Sequence, residues 1–200
     1  MRYRSYHRLQ RYVHRGYQWQ REVLRRALAE HRAIRDDAAP RVVELASGGG
    51  NLADVFSGPE YVGIDLIPER VAAAAVAHPG HRFVVGDVSG SDVEHLLAGR
   101  DFVFCHGLLH HLDDLQCRQL VETVEAHVSR PATVVVMEPW LPAAWPNLPG
   151  HLLCKLDDGK FIRPRHAYAG LFAKGLVREE ATSNFPRWPV DMEAYVGRLV

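Results

Sequence analysis

Val42-Val43-Glu44-Leu45-Ala46-Ser47-Gly48-Gly49-Gly50 is the stretch that decides the fold. Arg41 to Leu45 reads as a short buried strand, and the chain then breaks into three consecutive glycines. Such a turn lets backbone approach a ligand where a Cβ would clash. Asn51 to Phe56 reads as the start of a helix. A strand, a glycine turn and a helix in that order open an α/β unit. Glycine turns also serve dinucleotides and tight corners, so this signal needs company.

The company lies downstream. Tyr61 to Ile64 reads as a second strand, followed by an Ala-rich helix from Pro68 to about His78. Arg82 to Val85 makes a third strand, with a short helix from Ser91 to Ala98. Asp101 to Cys105 makes a fourth, followed by a longer helix from Asp113 to Ser129. Ala132 to Met137 is the fifth. Five such alternations within about 100 residues imply a parallel sheet with helices on both faces. A helix from Arg165 to about Lys174 and two closing strands, Leu176 to Thr182 and Glu193 to Val200, finish the chain. Residues 139 to 164 hold five prolines with Trp140 and Trp145, a composition suited to a lid.

Upstream, Trp19, Val23, Leu24, Ala27, Leu28, His31 and Ile34 fall at helical spacing, so residues 17 to 36 read as a helix. A shorter helix is expected over residues 3 to 14. Residues 1 to 37 hold ten arginines against four acids, although the net charge of the whole chain is zero. A basic segment can meet nucleic acid or an anionic partner, or simply clothe a solvated helix face.

Composition narrows the class. With 200 residues, 47% hydrophobic and 24% charged, the chain fits one soluble domain, residues 1–200, led by N-terminal helices over 1–38. No apolar run reaches the roughly 20 residues a membrane helix needs. The three cysteines, Cys105, Cys117 and Cys154, lack a Cys-x-x-Cys spacing. They suggest a reducing, cytoplasmic setting without a disulfide framework or a structural zinc site.

Two carboxylates complete the pattern begun at the glycines. Asp65 ends the second strand, where it can accept the hydroxyls of a ribose at a switch point of the sheet. Asp87 ends the third, placed to meet an adenine amino group. The glycine spacing departs from the Gly-x-Gly-x-x-Gly of nicotinamide sites, because Asn51, Leu52 and Ala53 follow Gly50.

Glycine turn, Asp and Asp on three successive strand ends resemble the class I S-adenosylmethionine-dependent methyltransferase family. Glu44 to Gly50 is similar to its first motif, Tyr61-Val62-Gly63-Ile64-Asp65-Leu66 to its second, and Val84-Val85-Gly86-Asp87-Val88 to its third. Asp101 through Asp113 resembles the strand and loop that pass under the methionine moiety. The resemblance covers residues 40 to 138. It implies a doubly wound α/β fold with a mostly parallel seven-stranded sheet, an antiparallel C-terminal strand and an N-terminal helical extension. It also implies S-adenosyl-L-methionine as cofactor, bound by Glu44, Ala46, Gly48, Asp65, Leu66, Asp87, Val88 and Cys105. Glu44 would hold the loop, Asp65 take the ribose, and Asp87 with the Val88 amide read the adenine. Ala46 stands where the family most often has its first glycine.

Methyl transfer from a sulfonium needs alignment and, for a poor nucleophile, a base. His106, His110 and His111, just past the fourth strand, are the candidate bases, with His110 ahead of His111. The competing reading makes the same stretch a helix start capped by Asp113 or Asp114. Glu138, beyond the fifth strand, is a second base or a partner for a substrate amine. Leu156 to Pro164 resembles an Asp-x-Gly-x-aromatic-Ile-Arg pattern of bacterial small-molecule methyltransferases, in which Arg163 clamps an anionic group or, as a structural residue, ties the lid to the sheet. No metal is expected, since His106, His110, Asp113 and Glu138 lack a known ligand spacing.

Three functions are compatible with these residues. The first is methylation of an O or N nucleophile on a small metabolite or natural product. The second is RNA methylation, prompted by the arginines. The fourth-strand motif lacks the Asn/Asp-Pro-Pro-aromatic grip of amino-methylating nucleic-acid enzymes, so nucleic acid is the weaker partner. The third is a non-methylating S-adenosylmethionine-binding protein that assists a cyclisation or serves as a partner. Oligomeric state is not legible.

Overall fold

The computed structural model describes residues 17–36, 38–90, 93–140, 154, 157–172, 177–183 and 191–200. The helix expected over 3 to 14 and most of the 139–164 segment lie outside these residues. Seven strands form one sheet: β1 (Val42–Leu45), β2 (Tyr61–Asp65), β3 (Arg82–Val85), β4 (Phe102–His106), β5 (Ala132–Pro139), β6 (Val177–Ser183) and β7 (Met192–Leu199). Their order across the sheet is β3-β2-β1-β4-β5-β7-β6. β1 pairs in parallel with both β2 and β4, and β7 alone runs antiparallel to its neighbours β5 and β6. The order reverses between β1 and β4. A crevice therefore opens at their C-terminal ends, as in other doubly wound sheets.

Side-chain alternation along the strands fills both faces. Val42, Phe102, Phe104, Val135 and Met137 face helix α1 (Gln18–Ile34), which contributes Val23, Leu24, Ala27 and Leu28. Val43, Leu45, Val103, Cys105 and Val136 point the other way, onto α3 (Glu94–Leu97) and α4 (Asp114–His127). α2 (Pro68–Ala77) joins β2 to β3, and the short α5 (Arg165–Ala169) precedes β6. On α1 the buried stripe includes Gln20, while Ile34 is 40% exposed. The stripe thus lies slightly off the face drawn from apolar spacing alone, because Gln20 turns inward toward a polar partner on β4.

Two elements differ from their expected form. Asn51 to Phe56 does not become an α-helix; a single 3-10 turn, Ala53–Val55, occupies the space. Phe56 is already extended, and Gly58-Pro59 follows, leaving no room for further turns before β2. α5 stops at Ala169, short of the expected Lys174.

The base of the sheet is tied by a buried charge. Asp101, 1% exposed, accepts from the Arg41 amide at 2.8 Å and pairs with Arg35 and Arg41. Burial would raise its pKa, but the bonds from His31 and Arg41 outweigh that and hold it below the ordinary carboxylate value.

Candidate active site

The C-terminal ends of β1, β2 and β4 bring the glycine turn, Asp65 and the histidine loop to one edge of the sheet. Ala46 leaves β1 in the left-handed region at φ 58°, followed by Gly48 at 55° and Gly50 at 72°. Only glycine enters that region without steric cost, which explains why Ala46 replaces a glycine of the resembled motif only at some strain. A Cβ built on Gly48 or Gly49 would meet nothing within 4 Å, so the turn presents bare backbone to open space. On its inner side, a Cβ on Gly50 would press on His78, Phe83 and Ala74.

Asp65 anchors that turn. Its Oδ2 accepts from the Gly48 amide at 2.8 Å, and its Oδ1 accepts from Ile67 at 2.9 Å. The residue is buried, yet each carboxylate oxygen retains a second lone pair. Leu66 beside it is 64% exposed, an apolar surface at the mouth of the crevice. Asp87 lies exposed after β3, where its Oδ1 accepts from the Ser89 amide and hydroxyl at 2.9 and 2.7 Å. Val88 is buried beneath it.

Glu44 points toward the α1 face, where it accepts from the Tyr61 hydroxyl. Burial pushes its carboxyl up to about 8, opposed by the Tyr61 bond, so Glu44 is largely protonated at neutral pH. Cys105 packs into the apolar core opposite, and burial raises its thiol far above its ordinary range. Its side chain therefore lies on the opposite face of the sheet from Glu44, in the cluster against which Ala46 packs.

The loop after β4 is organised around Glu138, which is completely buried. Its Oε1 accepts from the amides of Leu108 and Leu109 at 2.7 and 2.8 Å, and its Oε2 accepts from His110 Nδ1 at 2.8 Å. His110 Nε2 faces Asp157 Oδ1 at 3.3 Å. Burial alone would lower the His110 pKa, but hydrogen bonds to Asp157 and Glu138 overcome it and carry the ring to about 9. As an imidazolium with both N–H groups directed at carboxylates, His110 has no lone pair with which to take a proton. Glu138 is likewise committed to the loop. Both groups expected as bases are thus engaged with one another and with the loop.

His111 differs. It is exposed, and its ring lies 4.2 Å from that of His110, centroid to centroid. Partial burial and then the neighbouring charge of His110 hold its pKa below the ordinary histidine value. Asp113 caps α4 through a full capping box, accepting from Leu115 and Gln116. The segment is therefore both the expected helix start and a presented histidine.

Asp157 and Gly159 are partners of His110 that sequence reasoning missed. A Cβ on Gly159 would collide with His110 Cδ2, so only glycine allows this strap to lie on the ring. Arg163 secures the strap, donating to the carbonyls of Leu109 at 2.7 Å and Leu112 at 2.8 Å, and to Asp114. The Asp-x-Gly pattern was visible in the sequence; its contact across 47 positions was not. On the α1 side, Gln20 Nε2 lies 3.3 Å from His106 Nε2, and Tyr17 meets His106 edge to face.

Residues 43–125 match the methyltransferase domain family. The glycine turn, Asp65, Asp87 and the loop after β4 all fall within this methyltransferase-domain match. The magnesium protoporphyrin IX methyltransferase of Synechocystis, solved with S-adenosylhomocysteine bound, superposes with a TM-score of 0.67 at 14% identity, covering 96% of this chain and 87% of that one. An amino pentose methyltransferase from Micromonospora echinaspora, solved with S-adenosylmethionine, gives 0.67 at 18%, covering 96% and 97%. A methyltransferase from Clostridium acetobutylicum gives 0.68 at 11%, covering 98% of both chains. At such identities the likeness shows the fold. No curated protein matches the chain.

The residues present suit the cofactor. The bare backbone at Gly48 and Gly49 is a cradle that side chains would fill, and exposed Leu66 offers an apolar surface beside the buried Asp65 carboxylate. Among the described residues, no helix is long and apolar enough to cross a membrane, and all three cysteines are free and buried.

Proposed function

We propose that this methyltransferase acts on an oxygen or nitrogen nucleophile of a small molecule. S-adenosylmethionine supplies a methyl group already activated on a sulfonium, so the protein's task is alignment and exclusion of water. Asp65 accepts the ribose hydroxyls, the backbone from Ala46 to Gly48 borders the amino-acid part, and Leu66, Asp87 and Val88 surround the adenine. Glu44 shapes the turn from below. His110 and Glu138 hold the loop under the reacting centre, and His111 is the side chain that meets the substrate.

The observation that carries this reading is the loop from His106 to His111. It is fixed from inside by Glu138 and offers one exposed imidazole at the sheet edge, with no Asn/Asp-Pro-Pro-aromatic grip for a base. The relatives solved with cofactor include enzymes named for a porphyrin and an amino sugar, which supports a small acceptor. RNA is the second reading. Arg21 pairs with Asp54 and Arg35 with Asp101, so part of the arginine excess is used internally.

The test is formation of S-adenosylhomocysteine against a panel of small phenols, sugar hydroxyls and amines, with structured RNA in parallel. Turnover on a small acceptor that falls at least tenfold in His111→Ala is expected. Turnover on RNA alone would replace this reading, and none on any acceptor would favour a cofactor-binding protein without methyl transfer.

A further inference from the structure

We propose that His110, His111 and Asp157 form a site for a first-row divalent cation of the zinc type, with Glu138 behind it orienting the first imidazole. One ligand atom from each of the three residues lies within 4.8 Å of the others. The spacing between His110 Nε2 and Asp157 Oδ1 is 3.3 Å. A charge-assisted hydrogen bond would draw these atoms to about 2.7–2.9 Å. Two ligands of a tetrahedral ion bound at about 2.0–2.1 Å stand about 3.3 Å apart, which matches the observed separation.

The surroundings have the build of a metal site. Glu138 Oε2 takes the Nδ1 proton of His110 at 2.8 Å, the carboxylate–histidine arrangement that fixes the tautomer and aims Nε2 at a cation. The carboxylate ligand is also held, since the Gly159 amide donates to Asp157 Oδ1 at 2.8 Å. The Phe161 amide donates to the His110 carbonyl at 2.9 Å, locking the strap to the histidine turn. The cation would replace the proton that the carboxylates otherwise keep on the ring.

Two imidazoles and one carboxylate favour Zn2+, Co2+ or Fe2+ over Mg2+ or Ca2+, which take oxygen ligands. His111 is exposed and Asp157 half-buried, so solvent reaches two of the three ligands, and water or a substrate oxygen would complete the coordination. Only this last role, meeting a substrate through the cation, rests on the small-molecule reading. The binding itself does not.

The tag-free chain, stripped with chelator, would be titrated with Co2+ and followed by its visible d–d absorption, then with Zn2+ in competition. One equivalent bound with an intense tetrahedral-type spectrum is expected, displaced by Zn2+. His111→Ala, at an exposed position that spares the fold, should weaken Co2+ binding at least tenfold, and Asp157→Ala likewise. Glu138→Gln should weaken it roughly 10- to 100-fold. No stoichiometric binding, or binding unchanged in His111→Ala and Asp157→Ala, would overturn the site and leave a purely ionic clamp on His110. S-adenosylmethionine binding measured on the same samples separates that outcome from a failure of the cofactor site.

Discussion

The amide of Gly48 donates to Asp65 Oδ2 at 2.8 Å, joining the turn after β1 to the end of β2. One carboxylate thereby shapes the glycine turn and lies beside the bare backbone it shapes. The Ile67 amide on Oδ1 fixes the carboxylate plane, so the Asp65 carboxylate is held in one orientation from both sides.

Ala46 holds φ 58°, which costs an alanine about 1 kcal/mol over glycine. Glycine gives part of that back through the larger entropy of its unfolded chain. Ala46→Gly should therefore stabilise the protein by a few tenths to about 1 kcal/mol in urea unfolding. A clear loss of stability would mean that Ala46 is not strained.

Glu44 has a folded pKa raised from 4.5 to about 8. Below 4.5 both folded and unfolded states hold the proton, and the group is neutral in its effect. As pH rises from 4.5 toward 8 the unfolded state releases the proton first, so stability falls across that window, by at most about 1.4 kcal/mol per pH unit. Glu44→Gln keeps a partner for Tyr61 and should flatten this slope. Denaturant midpoints at pH 5 and pH 8 measure it, and equal slopes in both proteins would contradict the burial account.

Gly159 lies on the His110 ring with no room for a methyl group. Gly159→Ala should cost about 1–3 kcal/mol through overpacking and displace the strap. Protection of the Phe161 amide against hydrogen exchange should drop with it. Retained protection would show that the strap does not depend on this contact.

Arg163 donates through its forked guanidinium to Leu109, Leu112, Phe161 and Asp114. A lysine carries the charge but cannot fill that fork. Arg163→Lys should destabilise by about 2–3 kcal/mol, since buried carbonyls lose their donors. Thermal unfolding checks it, and an unchanged Tm would argue for a surface role.

The sheet was legible in the sequence because its strands are short apolar runs punctuated by Gly, Pro and Asp, and parallel pairing buries them on both faces. Arg82–Val85 forms over its expected range, and β6 and β7 fall where the two closing strands were expected. The missing helix after the glycines was not legible from periodicity; it depended on the ten residues available between Gly50 and Tyr61. At the site, the placement of Asp65, Asp87 and the histidine loop at strand ends was legible from the strand pattern. The contact of His110 with Glu138 was not, because it depends on which carboxylate folds back onto which ring. Asp157 and Gly159 arrive from a distant segment, and no local spacing announces that contact.

The most direct test of the central claim is calorimetry with S-adenosylmethionine on the wild-type chain and on Asp65→Ala. One molecule bound per chain is predicted, with affinity in the variant weaker by about 1–3 kcal/mol for the lost hydroxyl bonds, circular dichroism confirming an intact fold. No binding by the wild type, or equal affinity in the variant, would contradict the assignment of this edge of the sheet as the cofactor site.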